Sequence, residues 1–180
     1  VWTHIFEYRE DQLNNFPWYN KSGGGWLPFI PFPFQLELID WLTERTNATG
    51  IRGNGAISKS RDMGVTDTCC RFALWAYLFK DPSHTKFVSR MSDLVDQLGN
   101  MDSIMERITS QLEDNDFNMP VPEWMRPSGW NRSDHRKLRL LTSPATRNQI
   151  SGEATSERTG RGGRCWLACV DEAAFIEKLK

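Results

Sequence analysis

Short apolar runs alternate with segments of helical character along most of this 180-residue chain. Helices are predicted over Gln35–Thr46, over Thr66–Lys80 before Asp81-Pro82, and over Ser92–Glu113 with a break near Gly99-Asn100. The strand-like runs are GAIS at 55–58, TKFVSRM at 85–91, KLRLLT at 137–142 and CWLAC at 165–169. Strands that alternate with helices favour an α/β fold with a mostly parallel central sheet flanked by helices.

The amino-acid composition divides the chain into two parts and indicates the cellular environment of the protein. Residues 1–34 are rich in aromatic residues, glycine and proline without a sustained helical period, which predicts an N-terminal arm before one domain over residues 35–180. The 22 basic and 23 acidic side chains give a formal net charge of −1, so a contact with nucleic acid would need a local basic patch. The longest apolar run, Phe72–Phe79, is too short to cross a bilayer. These features predict a soluble, intracellular protein without a membrane partner.

The four cysteines do not have the spacing of a metal site. Cys69 and Cys70 are adjacent, and Cys165 and Cys169 lie in an apolar run that no histidine follows. We therefore expect buried free thiols in a reducing compartment.

The stretch GAISKSRDMGVTDTCC at 55–70 nearly matches the phosphate-binding pattern G-x-x-x-x-G-K-[ST]. Aligned on Gly64, Thr66 takes the Ser/Thr position, but Val65 replaces the lysine and Lys59 replaces the first glycine. A loop between a strand and a helix directs backbone N–H groups and a helix N-terminus at phosphates. We expect Thr66 to offer its hydroxyl to Mg²⁺ and Lys59 to reach the β- and γ-phosphates from the other end of the loop.

A second motif follows the last apolar run, where Asp171 and Glu172 come directly after CWLACV. Burial of two carboxylates is costly unless a cation or a reaction requires them. Phosphoryl transfer would use the aspartate to hold Mg²⁺ and the glutamate to polarise the attacking water. Taken alone, the motif also fits a surface Asp-Glu pair just beyond a strand.

Five segments, in order along the chain, resemble the N-terminal ATPase region of the large terminase subunit, the DNA-packaging motor of tailed bacteriophages. They are FIPFPFQLELIDWL, SKSRDMGVT, KFVSRMSDLVDQL, SGEATSERTGRGGR and VDEAAF, and the resemblance extends from about Pro28 to Lys180. It implies a P-loop NTPase fold of the ASCE or RecA-like kind. It departs from the common family pattern at Val65, which leaves the lysine's role to Lys59.

The resemblance implies a role for each residue of the site. Gln35 would read the adenine edge, Lys59 would contact the β- and γ-phosphates, and Glu172 would activate water. Thr66 and Asp171 would hold Mg²⁺. The nucleotide-binding residues implied are Gln35, Lys59, Ser60, Arg61, Asp62, Met63, Gly64, Val65 and Thr66. Arg61 and Arg161 are candidates for the charge-stabilising arginine finger, with Arg158 and Arg164 as neighbours that also fit.

The function implied is ATP hydrolysis that drives double-stranded DNA into a procapsid, with ATP and Mg²⁺ as cofactors. The implied partners are DNA, a portal protein, a small terminase subunit and further copies of the chain in a ring, in the cytoplasm of an infected prokaryotic host. The chain reads as a fragment without the family's nuclease domain, so no nuclease activity is expected. Two alternatives remain at this point: a helicase-like or other P-loop ATPase core, and a nucleotide-binding module that does not hydrolyse.

Overall fold

A computed structural model of the chain describes residues 17–20, 25–28, 31–47, 54–60, 63–113, 121, 123–155 and 164–173. Its helices are α1 (Pro33–Asn47), α2 (Val65–Phe79), α3 (Ser92–Val95), α4 (Ile104–Thr109) and α5 (Arg132–His135). Its strands are β1 (Pro17–Asn20), β2 (Gly25–Pro28), β3 (His84–Ser89), β4 (Arg136–Lys137), β5 (Leu140–Thr142), β6 (Gln149–Ala154) and β7 (Leu167–Val170). Short 3₁₀ turns cover Ser110–Leu112 and Glu123–Met125. β1 and β2 form an antiparallel pair of their own.

The central sheet has five strands in the order β4-β5-β6-β3-β7. β3 runs parallel to both of its neighbours, and Thr85 lies opposite Ile150 of β6 and Leu167 of β7. β5 runs antiparallel to β6 and to β4. The chain is therefore an α/β protein with a mixed sheet flanked by helices, and the prediction of a mostly parallel sheet is wrong.

The lengths of the connections explain the mixed sheet. Only residues 138–139 separate β4 from β5, and only residues 143–148 separate β5 from β6. Parallel neighbours need a crossover of a dozen or more residues, so connections this short permit only antiparallel pairing. KLRLLT, predicted as one strand, is therefore a hairpin that turns at Arg139, which has a φ of 57°.

Helix α2 forms the centre of the core and confirms the predicted helix. All of its residues from 65 to 77 are buried except Thr66. It packs with α1 and with the sheet in one apolar cluster, whose members include Leu42, Phe87, Leu141 and Ile150. Within the described ranges, no helix has the length and apolar character needed to span a membrane.

Some of the other predictions of secondary structure are confirmed, and others are wrong. The strands predicted at 85–91 and within CWLAC are confirmed as β3 and β7, whereas the helix predicted over 92–113 is divided between α3, α4 and a 3₁₀ turn. GAIS was predicted to be a buried strand, but residues 54–60 are exposed and have no regular structure. Gly55, Ala56 and Ser58 offer little apolar area to bury, which accounts for this error. The polar segment GEATSERTGRGGR is typical of a flexible loop in composition, but its first residues, 152–154, belong to β6.

A buried ion pair ties the β4–β5 hairpin to the segment after α3. The side chains of Arg136 and Asp96 are 5% and 3% exposed, and Arg136 Nη1 donates to Asp96 Oδ2 at 3.0 Å. Arg136 Nε also donates to Thr109 Oγ1 at 3.0 Å, and the Arg139 backbone N–H donates to the Asp96 carboxylate. These additional hydrogen bonds satisfy the condition under which buried charge is tolerated.

We predict that Arg136→Ala lowers the free energy of unfolding by about 3–5 kcal/mol, because it leaves the Asp96 carboxylate buried without its cation. Urea titration followed by circular dichroism measures the change. The matched control is Arg147→Ala, an exposed arginine in the β5–β6 connection, whose effect should stay within about 0.5 kcal/mol. A loss no larger than that of the control would contradict the role given to the ion pair.

Candidate functional site

The first turn of α2 and the end of β7 meet through a hydrogen bond between a hydroxyl and a carboxylate. Thr66 Oγ1 donates to Asp171, at 3.1 Å from Oδ2 and 3.2 Å from Oδ1. The two residues are 105 positions apart in the chain. The Asp171 backbone N–H donates to Val88 O at 2.8 Å, which holds the carboxylate in register with β3. The structure thus brings together the two residues that were predicted to bind Mg²⁺.

This contact lies at the carboxyl edge of the three parallel strands. β3, β6 and β7 run in the same direction, and Asp171 and Glu172 follow β7 directly. Helix α2 begins at the same edge, because Thr66 in its first turn contacts Asp171. Ligands of open α/β sheets bind outside the carboxyl ends of the strands, and a helix N-terminus there attracts anions. The edge therefore has the features of an anion-binding site.

Entry into α2 depends on a left-handed glycine. Gly64 is the N-cap of α2, with φ 66° and ψ 17°, and its carbonyl accepts from the Thr68 backbone N–H at 2.9 Å. A Cβ atom at this position would lie 2.6 Å from Gln35 Nε2. The positive φ favours glycine here, and a Cβ atom would also displace the Gln35 amide from its place beside the turn.

Gln35 lies beside this turn, buried at 4% exposure near the start of α1. Its Oε1 accepts from the Phe32 backbone N–H at 2.9 Å, and its Nε2 donates to Met63 O at 3.1 Å. Sequence reasoning assigned Gln35 to the adenine edge. In the structure, both ends of its amide are bonded to the backbone, and one of these bonds reaches the residue just before Gly64.

Of the residues predicted for the phosphate loop, those described occupy different environments. Lys59 and Ser60 are exposed, and the Ser60 backbone N–H donates to Met63 Sδ at 3.4 Å. Val65, in the lysine position of the common pattern, is buried in the core cluster. A lysine there would point its charge into apolar packing, which explains the departure.

Among the arginines predicted for the site, Arg164 lies in the described ranges, and it lies away from the Thr66–Asp171 contact. Arg61, Asp62, Arg158 and Arg161 lie outside the described residues. Arg164 precedes β7, and its carbonyl oxygen lies 3.0 Å from His84 Nδ1 at the start of β3. That is the amino edge of the sheet, opposite the Thr66–Asp171 contact.

Glu172 is engaged by a residue that sequence reasoning missed. Arg90 Nε donates to Glu172 Oε2 at 2.6 Å, and the two side chains are 44% and 36% exposed. Asp171 and Glu172 are both only half-buried, so the expectation of two buried carboxylates is wrong. An ion pair this exposed contributes about 0–1 kcal/mol, so little free energy is needed to release Glu172. The position of Arg90, directly after β3, is the signal that could have identified it.

Within the described part of the chain, the remaining candidate ligands do not form a metal centre. All four cysteines are free thiols, as expected, but only Cys69 and Cys70 are buried, whereas Cys165 and Cys169 are half-buried. Burial raises the pKa of Cys70 well above its ordinary value. Among the described residues, no group of three or more His, Cys, Asp and Glu side chains could hold a metal ion. Any metal at the Thr66–Asp171 contact would have to take most of its ligands from elsewhere.

Comparison of the chain with protein-family models, with curated proteins and with solved structures gave no match. Inference about function therefore depends on the geometry at the carboxyl edge of the sheet. Three features carry it: the Thr66–Asp171 contact, the glycine turn into α2, and the exposed carboxylate of Glu172.

We predict that Gly64→Ala destabilises the fold more than Gly99→Ala. Both glycines have a positive φ, at 66° and 75°, so alanine costs about 1–2 kcal/mol of backbone strain at either position. Only Gly64 also faces a neighbouring side chain, because nothing lies within 4 Å of a Cβ atom at Gly99. Thermal or urea unfolding of the two variants measures the difference. Equal destabilisation would mean that Gln35 does not constrain the turn.

Proposed function

We propose that this chain is a P-loop ATPase of the ASCE or RecA-like kind that hydrolyses ATP with Mg²⁺. The observation that carries the proposal is the 3.1 Å hydrogen bond between Thr66 and Asp171. A hydroxyl in the first turn of a helix and a carboxylate after a neighbouring strand are the protein oxygens that hold Mg²⁺ in P-loop nucleotide sites. The pair stands at the edge of the sheet where such ligands bind.

The chemistry of this pair fits magnesium. Both groups are hard oxygen donors, and Mg²⁺ usually takes one or two side chains from the protein and the rest of its ligands from water and phosphate. Two protein oxygens suffice, so the lack of a larger ligand cluster among the described residues agrees with this metal. When bound with ATP, Mg²⁺ would neutralise charge on the β- and γ-phosphates.

Phosphate binding is assigned to the start of α2 and to Lys59. The first N–H groups of a helix have no partner within it, and the 15-residue helix α2 adds the positive end of its dipole. Lys59 is exposed, so its ammonium can turn towards a bound triphosphate without breaking core packing. Arg61 and Arg161 remain the candidates for the arginine that stabilises charge in the transition state.

Glu172 is assigned the role of polarising the attacking water. Its carboxylate follows the Mg²⁺-binding residue directly and is more than one third exposed, so water can reach it. The ion pair with Arg90 must be exchanged for that water before the carboxylate can act. Because the pair is weak, this exchange costs little.

The wider function proposed is that of the large terminase subunit: ATP hydrolysis drives double-stranded DNA into a procapsid. Its support is the order of the five terminase-like segments, together with the contact between residues from the second and the fifth of them. The proposal includes a homo-oligomeric ring, a portal protein and a small terminase subunit as partners, in the cytoplasm of an infected prokaryote.

A second candidate is a nucleotide-binding module that does not hydrolyse. The observation that favours it is the engagement of Glu172 by Arg90, which occupies the carboxylate needed for catalysis. The two candidates agree on nucleotide binding and differ only in turnover. Binding and turnover therefore have to be measured separately.

Thr66→Val is predicted to weaken binding of ATP in the presence of Mg²⁺ by about 10- to 100-fold, the usual effect of losing a bond to a charged group. Binding of ATP in excess EDTA should be unchanged, because the hydroxyl acts through the metal. A fluorescent ATP analogue titrated under both conditions measures the effect. The control Thr43→Val removes a hydroxyl that is bonded to Ile39 O on α1, and should alter neither value. Nucleotide binding by the wild type that is absent, or indifferent to Mg²⁺, would overturn the proposed function.

Glu172→Gln should reduce the rate of ATP hydrolysis by about 10²–10⁴-fold, because the amide cannot accept a proton from water. Affinity for ATP should stay within about threefold, since the carboxylate acts only in the transition state. Phosphate release measured over a range of protein concentrations gives the rates, with Glu153→Gln as the control for a carboxylate on strand β6 of the same sheet. A wild type that binds ATP but turns over no faster than Glu172→Gln would favour the non-hydrolysing module.

A further inference from the structure

Helix α1 contacts both arms of the segment that precedes α2. Near its start, Gln35 is bonded to Met63. Six positions later, the Trp41 indole lies against Gly55 so closely that a Cβ atom on Gly55 would be 2.1 Å from Trp41 Cζ2. The Arg45 guanidinium lies 5.1 Å from the centre of the same ring and donates to Asn54 O at 3.4 Å. One helix therefore holds the beginning and the end of the loop proposed to bind phosphate.

Both polar atoms of the Gln35 side-chain amide form hydrogen bonds with the backbone. A glutamine that reads adenine offers its oxygen and its N–H side by side to N6 and N7 of the base. Here Oε1 faces the Phe32 N–H at 2.9 Å, while Nε2 faces Met63 O at 3.1 Å. The side chain is 4% exposed, so little of it is open to a ligand. To present both atoms to a base, Gln35 would have to give up both hydrogen bonds.

The hydrogen bond from Gln35 to Met63 restrains the backbone of the loop directly before Gly64. It fixes the carbonyl of the peptide that leads into Gly64, the residue whose positive φ starts α2. Gln35 Nε2 also fills the space beside Gly64, at 2.6 Å from where a Cβ atom would lie. The direction of the first N–H groups of α2 depends on this turn, and these are the groups assigned to phosphate.

We propose that Gln35 is a positioning residue for the phosphate loop, and that it does not select the base of the nucleotide. This inference rests on the proposed function, because it takes the loop to be a triphosphate site. Gln35 holds the Met63–Gly64 peptide in the bound conformation before the ligand arrives. Loss of this bond leaves about one residue to be ordered on binding, which weakens binding of any triphosphate by about 5- to 30-fold.

The experiment compares three probes: ATP, GTP and inorganic tripolyphosphate. Gln35→Met keeps the length of the side chain and removes both hydrogen-bonding groups. Gln35→Glu keeps the acceptor for Phe32 and removes the donor to Met63. We expect each variant to bind all three probes more weakly than the wild type, and by the same factor for each probe. The ratio of ATP to GTP affinity should therefore be unchanged. A loss confined to ATP, with tripolyphosphate unaffected, would overturn the proposal and return Gln35 to the adenine edge.

A second measurement needs no nucleotide. Hydrogen exchange of the backbone amides from Gly64 to Thr66 should be faster in the Gln35 variants of the ligand-free protein, and unchanged in the control Thr43→Val. Unaltered exchange, in variants that keep the wild-type circular dichroism spectrum, would overturn the positioning role. If the wild type binds none of the three probes, the proposed function fails, whereas the exchange rates still decide whether Gln35 holds the loop.

Discussion

The packing of helix α2 against the sheet is the interaction on which the rest of the structure depends. Twelve of its residues are buried, and they contact the sheet, α1 and α4 in one core. A helix that is buried on nearly all sides can turn about its axis only at a large cost in packing. Its first turn is therefore held in one orientation, with Thr66 towards Asp171. The candidate site has its geometry because the helix behind it has no alternative position.

Charged side chains inside this core form an ion pair. Asp67 and Arg71 lie one turn apart on α2 and are joined at 3.0 Å, and Arg71 Nη1 also donates to Gln111 at 3.1 Å. The pair satisfies polar groups that would otherwise oppose the burial of α2. Thr66 is the exception among residues 65–77, since it is only half-buried. Thr66, the accessible residue of this helix segment, is also the residue that contacts the aspartate that follows β7.

Local patterns in the sequence predicted the elements that carry the site. The largely apolar helix after Gly64 and the apolar run before Asp171 both had the composition of buried elements, and α2 and β7 lie where these patterns indicated. Helix α2 is buried as expected, whereas the expectation of a buried strand is wrong for β7, whose side chains alternate between half-buried and exposed. The resemblance implied that Thr66 and Asp171 hold the same magnesium ion, and in the structure their side chains lie within hydrogen-bonding distance. Features that depend on contacts between distant segments were not predictable in this way. The amide bonds of Gln35 leave no periodic signal, and the one sign of the partnership of Arg90 with Glu172 is that Arg90 follows a strand directly. The mixed sheet follows from the short connections on either side of β5.

The burial of Val65 has a consequence for the ionic environment of a bound nucleotide. With an apolar residue in the lysine position, the cation assigned to the phosphates comes from the exposed segment 54–60 and approaches from the solvent side. Exposed charges are screened by salt over a Debye length of about 8 Å at physiological ionic strength, whereas buried charges are screened far less. On the proposed function, the affinity of this loop for its ligand therefore decreases as ionic strength rises. The apolar residue that completes the core would, on the proposed function, also make nucleotide binding sensitive to ionic strength.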